Sequence, residues 1–245
     1  MRLHGRDALV TGGSSGIGAA IATALTGAGA RVTILGRDAA GLDAVARRGG
    51  AEPVVADLTT DAGLATAAAA AAEADLVVNA AGRGWAGDLG AMPPDELAAL
   101  VTLDLVVPMQ LARAAVPGMR RRGSGHLAFV SSIATVGVGG EAAYSASKAG
   151  LRAFAAALRH DVAGDRIGVT TVFPGAVDTP FFDRRGRRYD RRFPRMVPPD
   201  AVARRVLRAV ERDRAEVFVP AWLSLAARVQ GVAPAVFHRM AGRFG

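Results

Sequence analysis

The chain has 245 residues, 51% hydrophobic and 21% charged, enough apolar content for a sizeable core and too much for intrinsic disorder. It has no Cys, which excludes disulfides and thiolate metal sites. The formal charge of +8 is concentrated in residues 184–195, "RRGRRYDRRFPR", where seven Arg and one Asp supply +6 of it, so the basicity is local rather than the general property of a nucleic-acid binder. In chain order, "DALVTGG" (7–13) is a short apolar run ending in Gly and predicts a buried strand entering a turn. "SGIGAAIATALTGAG" has helical spacing and a Gly stop. "ARVTILGR" (30–37) predicts a second strand, and "DAAGLDAVARRGG" (38–50) a helix capped by Asp at one end and Gly at the other. "EPVVADL" (52–58) predicts a third strand, and the alanine-rich 59–74 a helix, Ala being the best helix former. "DLVVNAAG" (75–82) is a fourth strand. Residues 93–122 predict one long helix, disturbed near Pro108 or Pro117 because proline lacks the N–H of a regular helix. "GHLAFVSS" (125–132), "RIGVTTVFPG" (166–175) and "AEVFVP" (215–220) predict three more strands, with helices over 141–163 and 198–212 between them. Residues 176–198 read as an irregular, Arg-rich insertion.

Strands alternate with helices throughout, which calls for a parallel sheet covered on both faces, a three-layer αβα arrangement. Right-handed crossovers make it a doubly wound sheet whose ligand crevice lies at the carboxyl ends of the strands. Residues 1–220 are expected to form a single domain that includes the lid insertion 176–198, with 221–245 as a C-terminal tail. No apolar run reaches the ~18–20 residues of a spanning helix. "MRLHGRDALVTGG" lacks the apolar stretch and small-residue cleavage site of a secretory signal, so a cytoplasmic location is expected.

"TGGSSGIG" joins the first strand to the first helix. Gly12, Gly16 and Gly18 let the backbone turn tightly and approach a pyrophosphate, while the helix N-terminus favours its charge. Ser14, Ser15 and Ile17 complete this loop. The second strand ends on Gly36 where a ribose-binding carboxylate would reject a 2′-phosphate, and Arg37 follows it. Arg pairs bidentately with phosphate, which favours NADP over NAD; Asp38 next door is the competing candidate for the ribose.

"TGGSSGIG", "NAAG", "YSASK" and "PGAVDT", in this order and spacing, resemble the short-chain dehydrogenase/reductase family over about residues 5–220. The resemblance implies a Rossmann fold, a nicotinamide cofactor and hydride transfer to or from an alcohol or carbonyl carbon. It implies that Asp57, beside Leu58, meets the adenine, and that Asn79, Ala80, Ala81 and Gly82 line the adenosine side. It further implies that Val177 and Thr179, after Pro174-Gly175, meet the nicotinamide carboxamide.

Lys occurs once among 30 basic residues, at position 148, four positions after Tyr144, one of only two Tyr. On a helix that spacing puts both on one face. Free Tyr, with a pKa near ~10, is a poor base at neutral pH. A nearby ammonium favours the phenolate, and a shift of ~3 units needs about 4 kcal/mol, within reach of a close charge in a dry cleft. Lysine suits this task better than arginine because it is compact and its three donors rotate. The resemblance assigns Tyr144 and Lys148 the catalytic roles and also the contact to the nicotinamide ribose. It asks for a serine about 13 positions before the tyrosine; Ser131 fits that spacing, whereas Ser132 fits the family's serine pair. Adjacent strand residues point oppositely, and the expectation falls on Ser132. Many relatives carry Asn on the long helix where this chain has Asp104. An aspartate there can pair with Lys148 through water, weaken its pull on Tyr144 and move the pH optimum.

Trp85, Ser131, Val136, Val138, Phe181 and Phe182 are the candidate substrate contacts, and their apolar character suggests an apolar or mid-sized carbonyl or alcohol. The Arg cluster reads as a solvated lid face, or as a site for an anionic substrate. The tail carries Trp222, Leu223, Leu225, Val232, Val236, Phe237, Met240 and Phe244 interleaved with Arg228, Arg239 and Arg243, suited to packing on its own domain, in a homodimer or homotetramer, or to peripheral membrane contact. His4, His126, His160 and His238 show no metal spacing, so no metal is expected. Nucleic-acid binding would rest on the Arg cluster alone, without a reading motif, and is not expected. A protein that binds cofactor without turnover is the alternative to an enzyme.

Overall fold

The computed structural model describes residues 1–187, 189, 194–235, 237 and 239. Seven strands form one parallel sheet: β1 (Asp7–Thr11), β2 (Arg31–Gly36), β3 (Glu52–Val55), β4 (Leu76–Asn79), β5 (Gly125–Val130), β6 (Ile167–Pro174) and β7 (Glu216–Val219). Their spatial order is β3-β2-β1-β4-β5-β6-β7, so the winding reverses between β1 and β4. Parallel pairing sets Ala8 beside both Val32 and Leu76, and Leu127 beside both Val77 and Val169.

The helices α1 (Gly16–Gly27), α2 (Ala39–Gly49) and α8 (Pro199–Glu211) cover one face. On the other lie α3 (Asp61–Glu73), α5 (Val107–Arg122) and α6 (Ala142–Asp161). Successive strand residues feed opposite cores: Val10, Ile34 and Val78 enter the first, and Leu9, Leu35 and Val77 the second. Burial on both faces is why these strands read as continuous apolar runs rather than alternating ones. Asp38 accepts a hydrogen bond from Gly41 N at the start of α2, and Gly50 closes that helix in the left-handed region at φ 72°.

The long helical segment is α4 (Pro94–Val101), a π-helical turn at Thr102–Val106, and then α5. Pro108 explains the site of the disturbance. It has no N–H for the carbonyl of residue 104, and its ring would clash there in a regular helix. The backbone widens instead, and Val107 N donates to Thr102 O, five residues back. Pro117 sits inside α5 without ending it. Pro94–Arg122 is long and apolar enough to span a bilayer, but Leu100, Val107, Leu111, Ala115 and Met119 are buried in the protein.

The insertion 176–198 is less irregular than its composition suggests. It contains the one-turn helix α7 (Phe181–Arg184), and Val177 bridges Val197 at its base. The tail contains α9 (Leu223–Val232), whose Leu223 and Ala227 are buried while Trp222, Leu225 and Val232 are exposed. Arg188, Arg191, Arg192, Val236, His238, Met240, Arg243 and Phe244 lie outside the described residues.

Candidate active site

A cleft of about 2120 Å³ opens at the carboxyl ends of the strands, where the winding reverses. Its floor is the turn between β1 and α1. Gly12 has φ 68°, and a Cβ there would lie 2.8 Å from Ala81 Cα, so both handedness and space demand glycine. A Cβ on Gly18 would lie 2.3 Å from Gly12 O. Thr11 Oγ1 accepts from Ala80 N and Ala81 N, both at 3.1 Å, and so ties this turn to the end of β4. The sequence did not single out Thr11. Ser15 precedes α1 with an extended backbone and makes no side-chain cap bond, which leaves the first-turn N–H groups to an incoming anion. This cradle fits the pyrophosphate of a dinucleotide.

From the glycine turn the wall runs past Ser14, Ser15 and Ile17 to Arg37, Asp57 and Leu58, then over Ala80 and Gly82 to Ser132, Tyr144 and Lys148. Pro174, Gly175, Val177 and Thr179 close the opposite side, Thr179 lying 3.2 Å from where a Gly16 Cβ would be. Two of the expected site residues lie off this wall. Asn79 is 2% exposed and shares the pleat face of Val77, so its amide points into the layer beneath rather than at an adenosine. Asp104 is fully buried behind the wall, because the π turn directs it inward.

At the adenosine end the Asp38 carboxylate is engaged in capping α2, 3.0 Å from Gly41 N. Arg37 is largely exposed and reaches 3.5 Å from Asp57 Oδ2. The Thr59 hydroxyl and amide donate to Asp57 Oδ1 at 2.7 and 2.9 Å; these bonds, the hydroxyl's first, hold its carboxyl below the usual range, with Arg37 adding to them.

At the other end α6 presents Tyr144 and Lys148 on one face. Lys148 Nζ donates to Val130 O at 3.2 Å and lies 3.1 Å from Asp104 Oδ2. That carboxylate contact falls short of hydrogen-bond geometry and acts as a charge pair, direct rather than through water. Asp104 Oδ1 accepts from Arg83 N at 2.8 Å. Burial raises the Asp104 carboxyl, and Lys148 and the Arg83 amide oppose the rise. Burial also pushes the Tyr144 phenol above its ordinary value, and the Asp104 charge adds to this, while the Ser132 hydroxyl works the other way. The sequence led us to expect a phenol lowered by Lys148. It is raised instead, chiefly because the phenol is buried, with the Asp104 charge adding to the rise.

The two serines separate as adjacent strand-end residues should. Ser131 Oγ donates to Lys148 O at 3.0 Å and braces α6. Ser132 Oγ, on the cleft wall and beside the phenol, accepts from Ala134 N at 3.1 Å. A 3-10 turn at Ile133–Val136 that the sequence did not reveal makes this bond.

Phe181 lies 5.6 Å from the Tyr144 ring, Phe182 follows at 5.5 Å, and Tyr189 at 5.1 Å beyond it. Val136, Val138, Phe181 and Phe182 line this end of the cleft. Trp85 does not reach it; it packs behind, against the cluster of Met92, Leu100, Ala134 and Tyr144. Arg184 and Arg187 are exposed on the rim, as a solvated lid face would be, but Arg185 is buried. It forms an ion pair with Glu141, lies 4.6 Å over the Phe182 ring, and its carbonyl accepts from Ala86 N at 3.0 Å. Sequence reasoning missed this pair, since residues 44 positions apart meet only once the lid folds over. Among the described residues no cluster of three metal-ligating side chains occurs.

A family profile described as "short chain dehydrogenase" matches residues 6–190. A 3-oxoacyl-[acyl-carrier-protein] reductase of rhamnolipid biosynthesis from Pseudomonas aeruginosa is 35% identical over 187 residues, covering 71% of this chain and 73% of its own. A short-chain dehydrogenase from Sphingobium yanoikuyae, solved in complex with NADPH, superposes with a TM-score of 0.83 at 27% identity, covering 93% of this chain and 94% of its own. A 3-ketoacyl-(acyl-carrier-protein) reductase from Brucella melitensis, complexed with NADH, gives a TM-score of 0.80 at 26% identity, covering 89% and 97%.

Proposed function

The chain belongs to the short-chain dehydrogenase/reductase family, and on that premise we propose that it transfers a hydride between NADP(H) and the hydroxyl or carbonyl carbon of an apolar small molecule, with Tyr144 giving and taking the proton. The observation that carries this reading is the placement of the Tyr144 phenol in the same cleft as the glycine turn, with Ser132 beside it and Lys148 one helical turn on. A bound nicotinamide supplies or accepts the hydride. The residues of this chain do the rest. Gly12, Gly16 and Gly18 with the α1 N-terminus hold the pyrophosphate, and Lys148 holds the nicotinamide ribose. Ser132 donates to the substrate oxygen, and Tyr144 transfers the proton at that same oxygen. Phe181, Phe182, Val136 and Val138 exclude water and favour an apolar substrate.

Two features support NADP over NAD. The Asp38 carboxylate is committed to the α2 cap, and Arg37, paired with Asp57 at 3.5 Å, stands exposed on the wall beside Gly36 and open to a 2′-phosphate. The relatives that support a nicotinamide cofactor include one solved with NADPH and one with NADH, so the test is a titration with both. NADPH should bind at least ~10-fold tighter than NADH, and Arg37→Gln should narrow the gap. A panel of ketones and 3-oxoacyl compounds, followed at the nicotinamide absorbance, then tests turnover. Tight NADH binding with no response to NADPH would overturn the Arg37 assignment. The direct Asp104–Lys148 pair favours a second reading, a cofactor-binding protein without turnover, and NADPH binding with no consumption across the panel would select it.

A further inference from the structure

We infer that Asp104 tunes the proton-transfer group of this site: by pairing directly with Lys148 it withholds that charge from Tyr144 and helps to keep it a neutral phenol, so alcohol oxidation gains its base only at a higher pH than an uncharged residue at this place would require. The inference rests on the proposed role of Tyr144 as the proton-transfer group. Its basis is geometric. The Asp104 side chain is 0% exposed and that of Lys148 is 6% exposed, so no solvent screens them, and their charged atoms are 3.1 Å apart. Each is held from a second side, Asp104 by Arg83 N and Lys148 by Val130 O. The pair is also wedged against the backbone at Gly82, where a Cβ would lie 3.2 Å from Asp104 Oδ1 and 3.4 Å from Lys148 Nζ. The Tyr144 ring centre is farther from the ammonium, at 5.6 Å. The ammonium and the Arg83 amide hold Asp104 as a carboxylate against the rise that burial imposes, and this carboxylate takes the ammonium's charge first.

The remaining charges around Tyr144 are matched in the same way. Glu141, just before α6, is paired with Arg185 after α7; the side chain of Arg83, after β4, is paired with Glu96 of α4. Arg184 and Arg187 stand exposed at the rim, in solvent. Before the oxidised nicotinamide brings its own charge, a phenolate formed here would thus face paired charges rather than an unopposed cation of the protein. In the reducing direction none is needed at the start. Hydride adds to the carbonyl carbon, the C=O π bond breaks, and the phenol O–H proton goes to the oxygen; the carbonyl is reduced, the nicotinamide oxidised, and the phenolate left behind takes a proton from solvent. Oxidation runs these bonds in reverse and must begin from the phenolate. Reduction therefore proceeds below the phenol's titration, and oxidation rises only through it.

The chain has two tyrosines, so Tyr189→Phe leaves Tyr144 as the sole source of tyrosinate absorbance. In that protein, without cofactor, the tyrosinate midpoint should lie above the ordinary value near ~10. Adding Asp104→Asn, which keeps the shape and removes the charge, should bring the midpoint down by at least about one unit. With cofactor, the alkaline limb of alcohol oxidation should move to lower pH by the same amount in Asp104→Asn. A Tyr144 midpoint at or below the free value, or one unmoved by Asp104→Asn, would overturn the inference; if that variant does not fold, Asp104→Ser in the same background replaces it, because burial by itself also raises the midpoint. Absence of turnover on every carbonyl, with the titration as expected, would sink the proposed function and leave the control of Tyr144 by Asp104 standing. Turnover with an unmoved midpoint would sink the inference alone.

Discussion

Replacing Tyr144 by Phe removes one oxygen and leaves the ring against Phe181. Loss of a proton donor of this kind costs ~10²–10⁴-fold in kcat/KM, and NADPH affinity measured by fluorescence titration should stay within about threefold. The two serines permit a sharper comparison. Ser131 braces the Lys148 carbonyl in a buried setting, so Ser131→Ala should cost about 1 kcal/mol of stability in a denaturant melt. Ser132 caps Ala134 N but faces the cleft, so Ser132→Ala should cost no more than about 1 kcal/mol in the melt and lower kcat by at least ~10-fold, a loss of activity that Ser131→Ala should not share. The reverse pattern would reassign the roles. The Tyr144–Lys148 relation was legible because i,i+4 spacing on a helix needs no tertiary information. The state of the phenol was not, since it depends first on how deeply the fold buries it and then on where Asp104 lies across the cleft wall, which is set by another helix.

At the scale of elements, a proline in a long helical pattern told where regularity would fail but not how. The π turn both absorbs Pro108 and aims Asp104 at Lys148, so a local irregularity becomes part of the site. The lid was less legible still. An Arg-rich stretch with two Phe carries no period that reveals a one-turn helix, and the Arg185–Glu141 pair needs both loops in place. That pair fastens α7 over Tyr144 beside the start of α6. Glu141→Gln keeps a hydrogen-bond acceptor but removes the charge from a mostly buried contact. Steady-state kinetics should then show KM for the carbonyl substrate rising about fivefold, equivalent to ~1 kcal/mol, with kcat and NADPH affinity changing much less. An equal fall in kcat would mean that the pair acts on the chemistry rather than on closure.

Over the whole molecule, the sheet was legible because each strand is buried on both faces and each crossover is a helix, which leaves few topologies. What that reading could not show is how a polar side chain fares inside it. His126 is 1% exposed in β5, flanked by Leu76 and Gly168 on the neighbouring strands. Its Nε2 lies 2.8 Å from Thr170 Oγ1, whose own proton goes to Arg214 O at 2.7 Å, so the ring donates here and the neutral form suffices. Burial pushes the imidazole from its ordinary 6.5 down to about 4. The sign follows from proton uptake. Between those two values the unfolded chain binds a proton that the folded chain refuses, so the fold loses stability as pH falls through this window and keeps it in full above ~6.5. The most this can cost is about 3 kcal/mol, reached near pH ~4. Urea melts at pH ~7.5 and ~4.5 should show the native protein losing ~2–3 kcal/mol more than His126→Gln, which keeps a donor at this place but cannot gain the charge. Carboxylates titrate in both proteins and cancel in the comparison. Parallel losses in the two would mean that the sheet opens to let the imidazole ionise in the folded state, and that its burial contributes nothing to acid sensitivity.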